Sequence, residues 1–205
     1  MDRYFRVAKI QGKLILTLLM SLFSVVLALL FPTADRRLCC AAMLCGTAGD
    51  IFLMNFGQLQ SVLHLPRQLY GSALFAAGHL FYSLAFLSLA AKSVGSFQDA
   101  MSIAAVLFVL TLGAALILFL RNGGKKVLPM LGMSVYLLFL CASSASALLA
   151  ALSLGGLRWV SAAGGALFFA SDALVGYKCL TGNTSLNKFV WWLYPIGQIL
   201  LLIGG

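Results

Sequence analysis

The chain has 205 residues, of which 62% are hydrophobic and only 9% carry a charge. Soluble globular domains contain about a quarter charged residues, so this composition excludes an ordinary water-soluble fold. The net charge of +9 comes from lysines and arginines that stand in ones to threes between apolar runs. Because they are not clustered with interleaved aromatic residues, we expect no nucleic-acid partner; their placement is typical of residues that flank membrane spans.

Hydropathy predicts an all-α protein, a polytopic transmembrane helical bundle of about seven spans in one domain, residues 1–205. A helix crosses the hydrocarbon core with about 20 apolar residues. Apolar runs near this length lie at approximately 10–31, 38–54, 69–91, 100–120, 127–152, 157–178 and 188–204. Polar turns are predicted between them at 32–37, 121–126 and 181–184. The first run follows several basic residues, but it is longer than the core of a signal peptide and is interpreted as a retained span.

The distribution of basic residues predicts the orientation. If the N-terminus is cytoplasmic, ten lysines and arginines fall in inner segments and four fall in outer segments. The positive-inside rule therefore favours a multi-pass protein of the cell (inner) membrane with a cytoplasmic N-terminus and an external C-terminus.

Carboxylates inside the spans are the strongest functional signal. The chain has no glutamate and five aspartates, and three of these, Asp2, Asp35 and Asp99, are assigned to termini or loops. Asp50 and Asp172 fall within apolar spans, where a carboxylate costs about 2.5–3.5 kcal/mol on insertion scales and is a functional candidate by default. In the topology with the N-terminus inside, both aspartates reach similar depths in the cytoplasmic half.

Further polar side chains occur at comparable depth. His79 and Tyr82 share one face of the third span, and Tyr194 and Gln198 share one face of the seventh. Ser171 precedes the second intramembrane aspartate, and a hydrogen bond to its own helix is its simplest interpretation. Each of these residues alone is more often an interhelical contact than a catalyst. Together they indicate that four spans contribute polar groups to one site.

The chemistry open to this set follows from the carboxyl pair. Two neighbouring buried carboxyl groups do not readily both ionise, so one is expected to hold a proton as a general acid while the other stabilises a cation or activates water. This suits cleavage of an acetal, an ether-like C–O bond or a vinyl ether. A metal site of His79, Asp50 and Asp172 is a weaker alternative, since no HExxH motif is present.

Four short segments in this order resemble the successive signatures of the YhhN family of membrane proteins. They are Gly49-Asp50-Ile51-Phe52-Leu53-Met54, Gly78-His79-Leu80-Phe81-Tyr82, Ser171-Asp172-Ala173-Leu174 and Tyr194-Pro195-Ile196-Gly197-Gln198-Ile199-Leu200. Animal members of that family are lysoplasmalogenases. The resemblance covers nearly the whole chain, although family members usually have eight spans and a Lys-Pro-containing helix where this chain has Lys9 or Lys13 without a following proline.

The resemblance implies a membrane-embedded hydrolase that acts without a cofactor. Its substrate would be a lysophospholipid with a vinyl ether bond, lysoplasmenyl-ethanolamine or -choline, cleaved to a fatty aldehyde and glycerophospho-ethanolamine or -choline. Asp50 and Asp172 would be catalytic. The residues that would bind substrate are His79, Tyr82, Ser171, Tyr194 and Gln198.

Two other classes of function also fit the residues. A proton-coupled small-solute transporter or channel uses intramembrane aspartate and histidine as a proton relay. A membrane scaffold without enzymatic activity uses the same polar residues only to hold helices together. Besides the substrate, the partners expected are membrane lipids; the sequence leaves the oligomeric state open.

Overall fold

Six helices form the part of the chain that the computed structural model describes, residues 2–54, 65–91 and 127–205 with isolated positions between 98 and 113. The predicted all-α class is confirmed, and the described residues contain no strand. The helices are α1 Asp2–Leu30, α2 Ala34–Leu53, α3 Arg67–Ala90, α4 Val127–Leu154, α5 Arg158–Thr181 and α6 Asn187–Gly204.

The composition of these helices makes the chain a membrane protein. Four stretches within them are long and apolar enough to cross a bilayer: Gly12–Leu30, Arg67–Ala90, Val135–Leu154 and Arg158–Lys178. The outer face of α1 is also apolar: Ile15, Leu19 and Leu22 are each more than half exposed. In water such a surface would be unfavourable, whereas lipid chains solvate it.

The two remaining helices, α2 and α6, correspond to the second and seventh predicted spans. The first turn of α2 contains Asp35, Arg36 and Arg37, and Asp50 lies near the end of the helix. Arg36, Asp50 and Tyr194 direct their polar groups at other helices, which lowers the cost of placing them among apolar neighbours. The predicted fourth span, 100–120, and the predicted turn at 121–126 lie outside the continuously described residues.

The predicted turn at 32–37 is too long. α2 already begins at Ala34, so Asp35 is not in a loop but lies in the first helical turn, where it is 4% exposed. An acidic residue there is favoured by the positive end of the helix dipole. The turn near 181–184 is confirmed: α5 ends at Thr181, and Gly182 adopts the left-handed conformation typical of a helix C-cap.

Glycines allow close helix contacts. A Cβ built on Gly164 of α5 would lie 2.8 Å from the carbonyl oxygen of Gly197 on α6, and a Cβ on Gly197 would lie 2.9 Å from the backbone nitrogen of Phe168. Gly49 of α2 and Gly71 of α3 meet in the same way. In lipid, where apolar burial does not drive helices together, such close backbone packing is a main source of association.

The contacts also give the helix directions. Consecutive helices are antiparallel, except that α3 and α4 run parallel: His79 contacts Ser143 near the middle of both, and Ala90 packs with Leu149 further along both. One end of the bundle, the Arg36 end, has Arg36 donating to the carbonyls of Leu202 and Ile203 and Arg158 donating to that of Gly204. The opposite end, the Lys13 end, has Lys13 and Lys188 near each other.

Candidate active site

Asp50 joins three helices through one carboxylate oxygen. Its Oδ2 accepts a hydrogen bond from Thr17 Oγ1 of α1 at 2.9 Å and another from the Tyr194 hydroxyl of α6 at 2.8 Å. Asp50 is 7% exposed. Two hydroxyl donors on one oxygen form the environment of a carboxylate that acts as an acceptor, because each donor places a positive hydrogen against the negative oxygen.

Helix periodicity places these donors. Thr17, Ser21 and Ser24 are four and three residues apart, so they form one polar stripe on α1. That stripe faces α2, where Thr47 lies against both Thr17 and Ser21. On the other side of α2, a Cβ built on Gly46 would lie 3.7 Å from the Tyr194 hydroxyl, so the small residue one turn before Asp50 brings α6 close.

Asp172 of α5 belongs to a second network. The Tyr136 hydroxyl of α4 donates to Asp172 Oδ2. His79 Nε2 of α3 lies 3.3 Å from the Tyr136 hydroxyl oxygen and 3.9 Å from the same Oδ2. The Asp172 side chain is 14% exposed, compared with 1% for His79, so it is the more accessible member of the network.

His79 makes a hydrogen bond at each ring nitrogen. Nδ1 lies 2.8 Å from Ser143 Oγ, and the Ser143 hydroxyl is also within hydrogen-bond distance of the Leu140 carbonyl, at 2.9 Å. The direction of both ring bonds depends on the tautomer of His79. In one arrangement Nε2 donates to the Tyr136 oxygen and Tyr136 donates to Asp172, and in the other the Asp172 carboxyl group donates to Tyr136 and Tyr136 donates to Nε2.

These two arrangements differ by a shift of two protons along one line. Nε2 gives its proton to the Tyr136 oxygen as Tyr136 gives its own to Asp172. A proton can therefore pass along this line from His79 through Tyr136 to Asp172, whose side chain is partly exposed.

The two networks lie side by side. The Phe168 ring contacts the His79 ring at a centroid distance of 4.9 Å and the Tyr194 ring at 5.4 Å. Asp50 and Asp172 are close enough to interact electrostatically. Next to Tyr194 on α6, Gln198 accepts a 2.6 Å hydrogen bond from the Tyr82 hydroxyl.

The model of the YhhN family matches residues 9–205 of this chain, nearly its whole length. The chain belongs to the YhhN family. The resemblance seen in its four short segments is thereby confirmed. No curated protein and no solved structure matches the chain significantly.

Of the seven site residues expected of this YhhN protein, four lie in the two adjoining networks, namely Asp50, Tyr194, His79 and Asp172, and Tyr82 and Gln198 form a separate hydrogen-bonded pair beside them. His79 and Tyr82 do share a helix face, but His79 bonds to α4 and Tyr82 to α6. Ser171 is the exception. It does not bond to its own helix as expected but donates to the Val190 carbonyl of α6 at 3.4 Å, and it is fully buried. It therefore contributes a contact between α5 and α6.

Sequence reasoning missed three residues that contact the candidate site residues. Thr17 holds Asp50, Tyr136 joins His79 to Asp172, and Ser143 fixes the His79 ring. Signals for them exist in the sequence: Thr17 belongs to the polar stripe of α1, and Tyr136 and Ser143 are seven residues apart, two helical turns on one face.

Proposed function

We propose that this protein is a membrane-embedded hydrolase that cleaves the vinyl ether bond of lysoplasmalogens by paired action of Asp172 and Asp50. The observation that carries the proposal is the unlike setting of the two carboxyl groups. Asp172 ends a proton relay and is partly exposed, whereas Asp50 is an acceptor held by two hydroxyls. A pair of acids in different environments is the usual basis for dividing acid and base roles.

Asp172 is the proposed general acid. A vinyl ether, R–CH=CH–O–R′, is activated when a proton adds to the carbon remote from the oxygen, which leaves the cation R–CH₂–CH=O⁺–R′. The relay from His79 through Tyr136 loads Asp172 with this proton. Its partial exposure is consistent with direct contact between the carboxyl group and the lipid chain.

Asp50 is the proposed base and the group that stabilises the cation. In this proposal the charge of Asp50 lies near that of the oxocarbenium ion, and its other oxygen, Oδ1, which receives no bond from Thr17 or Tyr194, takes a proton from water. Water then adds to the carbon next to the oxygen and gives a hemiacetal. In the collapse, Asp50 returns its proton to the leaving glyceryl oxygen, and the hemiacetal hydroxyl gives one to Asp172, which passes it back through Tyr136 to His79. Aldehyde and alcohol leave, and both carboxyl groups regain their starting state.

The decisive experiment compares three lipids that differ only in one linkage. Purified protein is incubated with vinyl-ether, alkyl-ether and acyl lysophospholipids of equal chain length, and the released aldehyde, alcohol or fatty acid is measured. We expect aldehyde from the vinyl ether and no product from the alkyl ether, which cannot form an oxocarbenium ion by protonation of a double bond. Fatty acid release from the acyl lipid alone would contradict the proposal.

A vesicle assay tests the transport alternative directly. Protein reconstituted into vesicles with a proton gradient should not accumulate solute, and its aldehyde release should continue when the gradient is collapsed. Proton-driven uptake without aldehyde formation would instead support the use of His79 and the two aspartates in transport.

A further inference from the structure

A cleft of about 370 Å³ opens at the Lys13 end of the bundle, between α1 and α6. Its lining combines two ammonium groups with two indole rings and is formed by Gly12, Lys13, Leu16, Lys188, Trp191 and Trp192. We propose that this cleft binds the phosphate group of the lysophospholipid. The inference rests on the proposed function for the identity of the lipid, and on the cleft itself for the phosphate.

The charges in the cleft favour a phosphate. Lys13 Nζ lies 3.2 Å from the centroid of the Trp191 ring, and this cation–π contact holds the ammonium group on the cleft wall. Lys188 is the second residue of α6, so its charge adds to the positive end of that helix dipole. A phosphate between the two lysines would be attracted by two ammonium groups and by the partial positive charge at the N-terminus of α6.

Both helices that line the cleft also carry a residue that donates a hydrogen bond to Asp50. On α1, Lys13 stands four residues before Thr17, and on α6, Trp191 stands three residues before Tyr194, so both donors to Asp50 lie about one helical turn, roughly 5 Å, further in. Lys13 and Asp50 are close enough to interact electrostatically. The cleft and the Asp50 network are therefore neighbouring parts of one structure.

The dimensions of the substrate fit this separation. In a lysoplasmalogen five bonds connect the phosphorus to the vinyl ether oxygen, a reach of roughly 6 Å when extended. A phosphate held at Lys13 and Lys188 would therefore place the vinyl ether beside Asp50. Lysines and tryptophans at a membrane surface also serve as simple anchors. An anchor, however, does not require two lysines and two tryptophans that line one cleft, about one helical turn from both donors to Asp50.

Binding can be measured without turnover by using a lipid that the enzyme cannot cleave. The chain has three tryptophans, and Trp159→Phe leaves only Trp191 and Trp192, both in the cleft. Tryptophan fluorescence of this protein in a non-ionic detergent is titrated with an alkyl-ether lysophospholipid, with the matching 1-O-alkylglycerol that lacks phosphate, and with inorganic phosphate. We expect saturable binding of the lysophospholipid, at least tenfold tighter than that of the alkylglycerol or of inorganic phosphate.

Charge variants then test the lysines. Lys13→Gln and Lys188→Gln should each reduce the preference for the phosphate-bearing lipid, and together they should abolish it. Lys13→Arg should retain the preference, which separates the loss of charge from the loss of structure. Lys178→Gln is the matched control, since Lys178 lies in the last turn of α5 at the same end but does not line the cleft.

The possible failures are distinguishable. Equal binding of the lysophospholipid and the alkylglycerol overturns the phosphate assignment, and equally tight binding of inorganic phosphate shows a site for the free anion, which overturns the lipid assignment. Preferential lipid binding without any aldehyde release from the vinyl ether supports the cleft and contradicts the proposed function. Aldehyde release with an unchanged KM in the double lysine variant supports the proposed function and contradicts the cleft as the phosphate site.

Discussion

The Tyr194 hydroxyl donates a 2.8 Å hydrogen bond to Asp50 Oδ2, joining two side chains that are 144 positions apart in the chain. The bond fixes α6 against α2 at the height of the carboxylate. Asp50 receives its other donor, Thr17, from α1, so its position depends on three helices at once. The predictions below follow from this arrangement and from its counterpart around Asp172.

Tyr194→Phe removes one donor from Asp50 and leaves the ring in place. A hydrogen bond to a charged group contributes about 1.5–3 kcal/mol, so we expect kcat for aldehyde release to fall roughly 10- to 100-fold. Tyr177→Phe is the control, because Tyr177 on α5 is 43% exposed. Equal activity of Tyr194→Phe and the control would remove the Tyr194 hydroxyl from the mechanism.

Asp50→Asn and Asp172→Asn should each abolish turnover while the protein stays folded. The amide keeps the shape of the carboxyl group, but it neither supplies the proton expected of Asp172 nor accepts the one expected of Asp50. Aldehyde release measures the loss, and the melting temperature with a gel-filtration profile shows whether the fold is retained. Full activity in either variant would exclude that residue as a catalyst.

Tyr136→Phe and His79→Gln test the relay as a unit. Each interrupts proton delivery to Asp172, so each should lower kcat, and the double variant should be no slower than the slower single variant. The measurement is a double-mutant cycle on kcat, together with the solvent deuterium isotope effect. Multiplicative losses in the double variant would show that the two residues act independently.

The glycine contact between α5 and α6 predicts a difference in stability. Gly197→Ala would place a Cβ 2.9 Å from the backbone nitrogen of Phe168 and 3.0 Å from the carbonyl oxygen of Gly164, and neither backbone atom can move away cheaply. Overpacking of this kind typically costs about 1–3 kcal/mol, so the melting temperature should fall. Gly46→Ala is the comparison: its Cβ would meet its nearest neighbour at 3.6 Å, an ordinary contact. A melting temperature that falls as far for Gly46→Ala as for Gly197→Ala would contradict this account.

Much of the fold was accessible from the sequence because hydropathy reports burial in lipid one residue at a time. The end of α1 and the whole of α3 and α6 were predicted to within a few residues. The beginning of α2 was not, since charged residues at a helix terminus look like a loop in a hydropathy scan although here they form the first turn of the helix.

The candidate site was only partly accessible in the same way. Asp50 and Asp172 could be predicted because aspartate is rare in apolar spans, where the free-energy cost of a carboxylate marks it as a functional candidate. Tyr136 and Thr17 are ordinary residues in such spans. They belong to the site only because each contacts an aspartate on another helix. The rotation of one helix against another is set by packing contacts spread over the whole bundle.

The Phe168 ring affects how protons can move between the two networks of the candidate site. A phenyl ring can neither donate nor accept a proton, and this one separates the aromatic members of the two networks, His79 and Tyr194. An acid and a base within one small volume would neutralise each other if a continuous chain of hydroxyl groups connected them. In the proposed mechanism, the hydrocarbon ring at this point slows direct proton transfer from Asp172 to Asp50, so that the proton of Asp172 passes to the lipid instead.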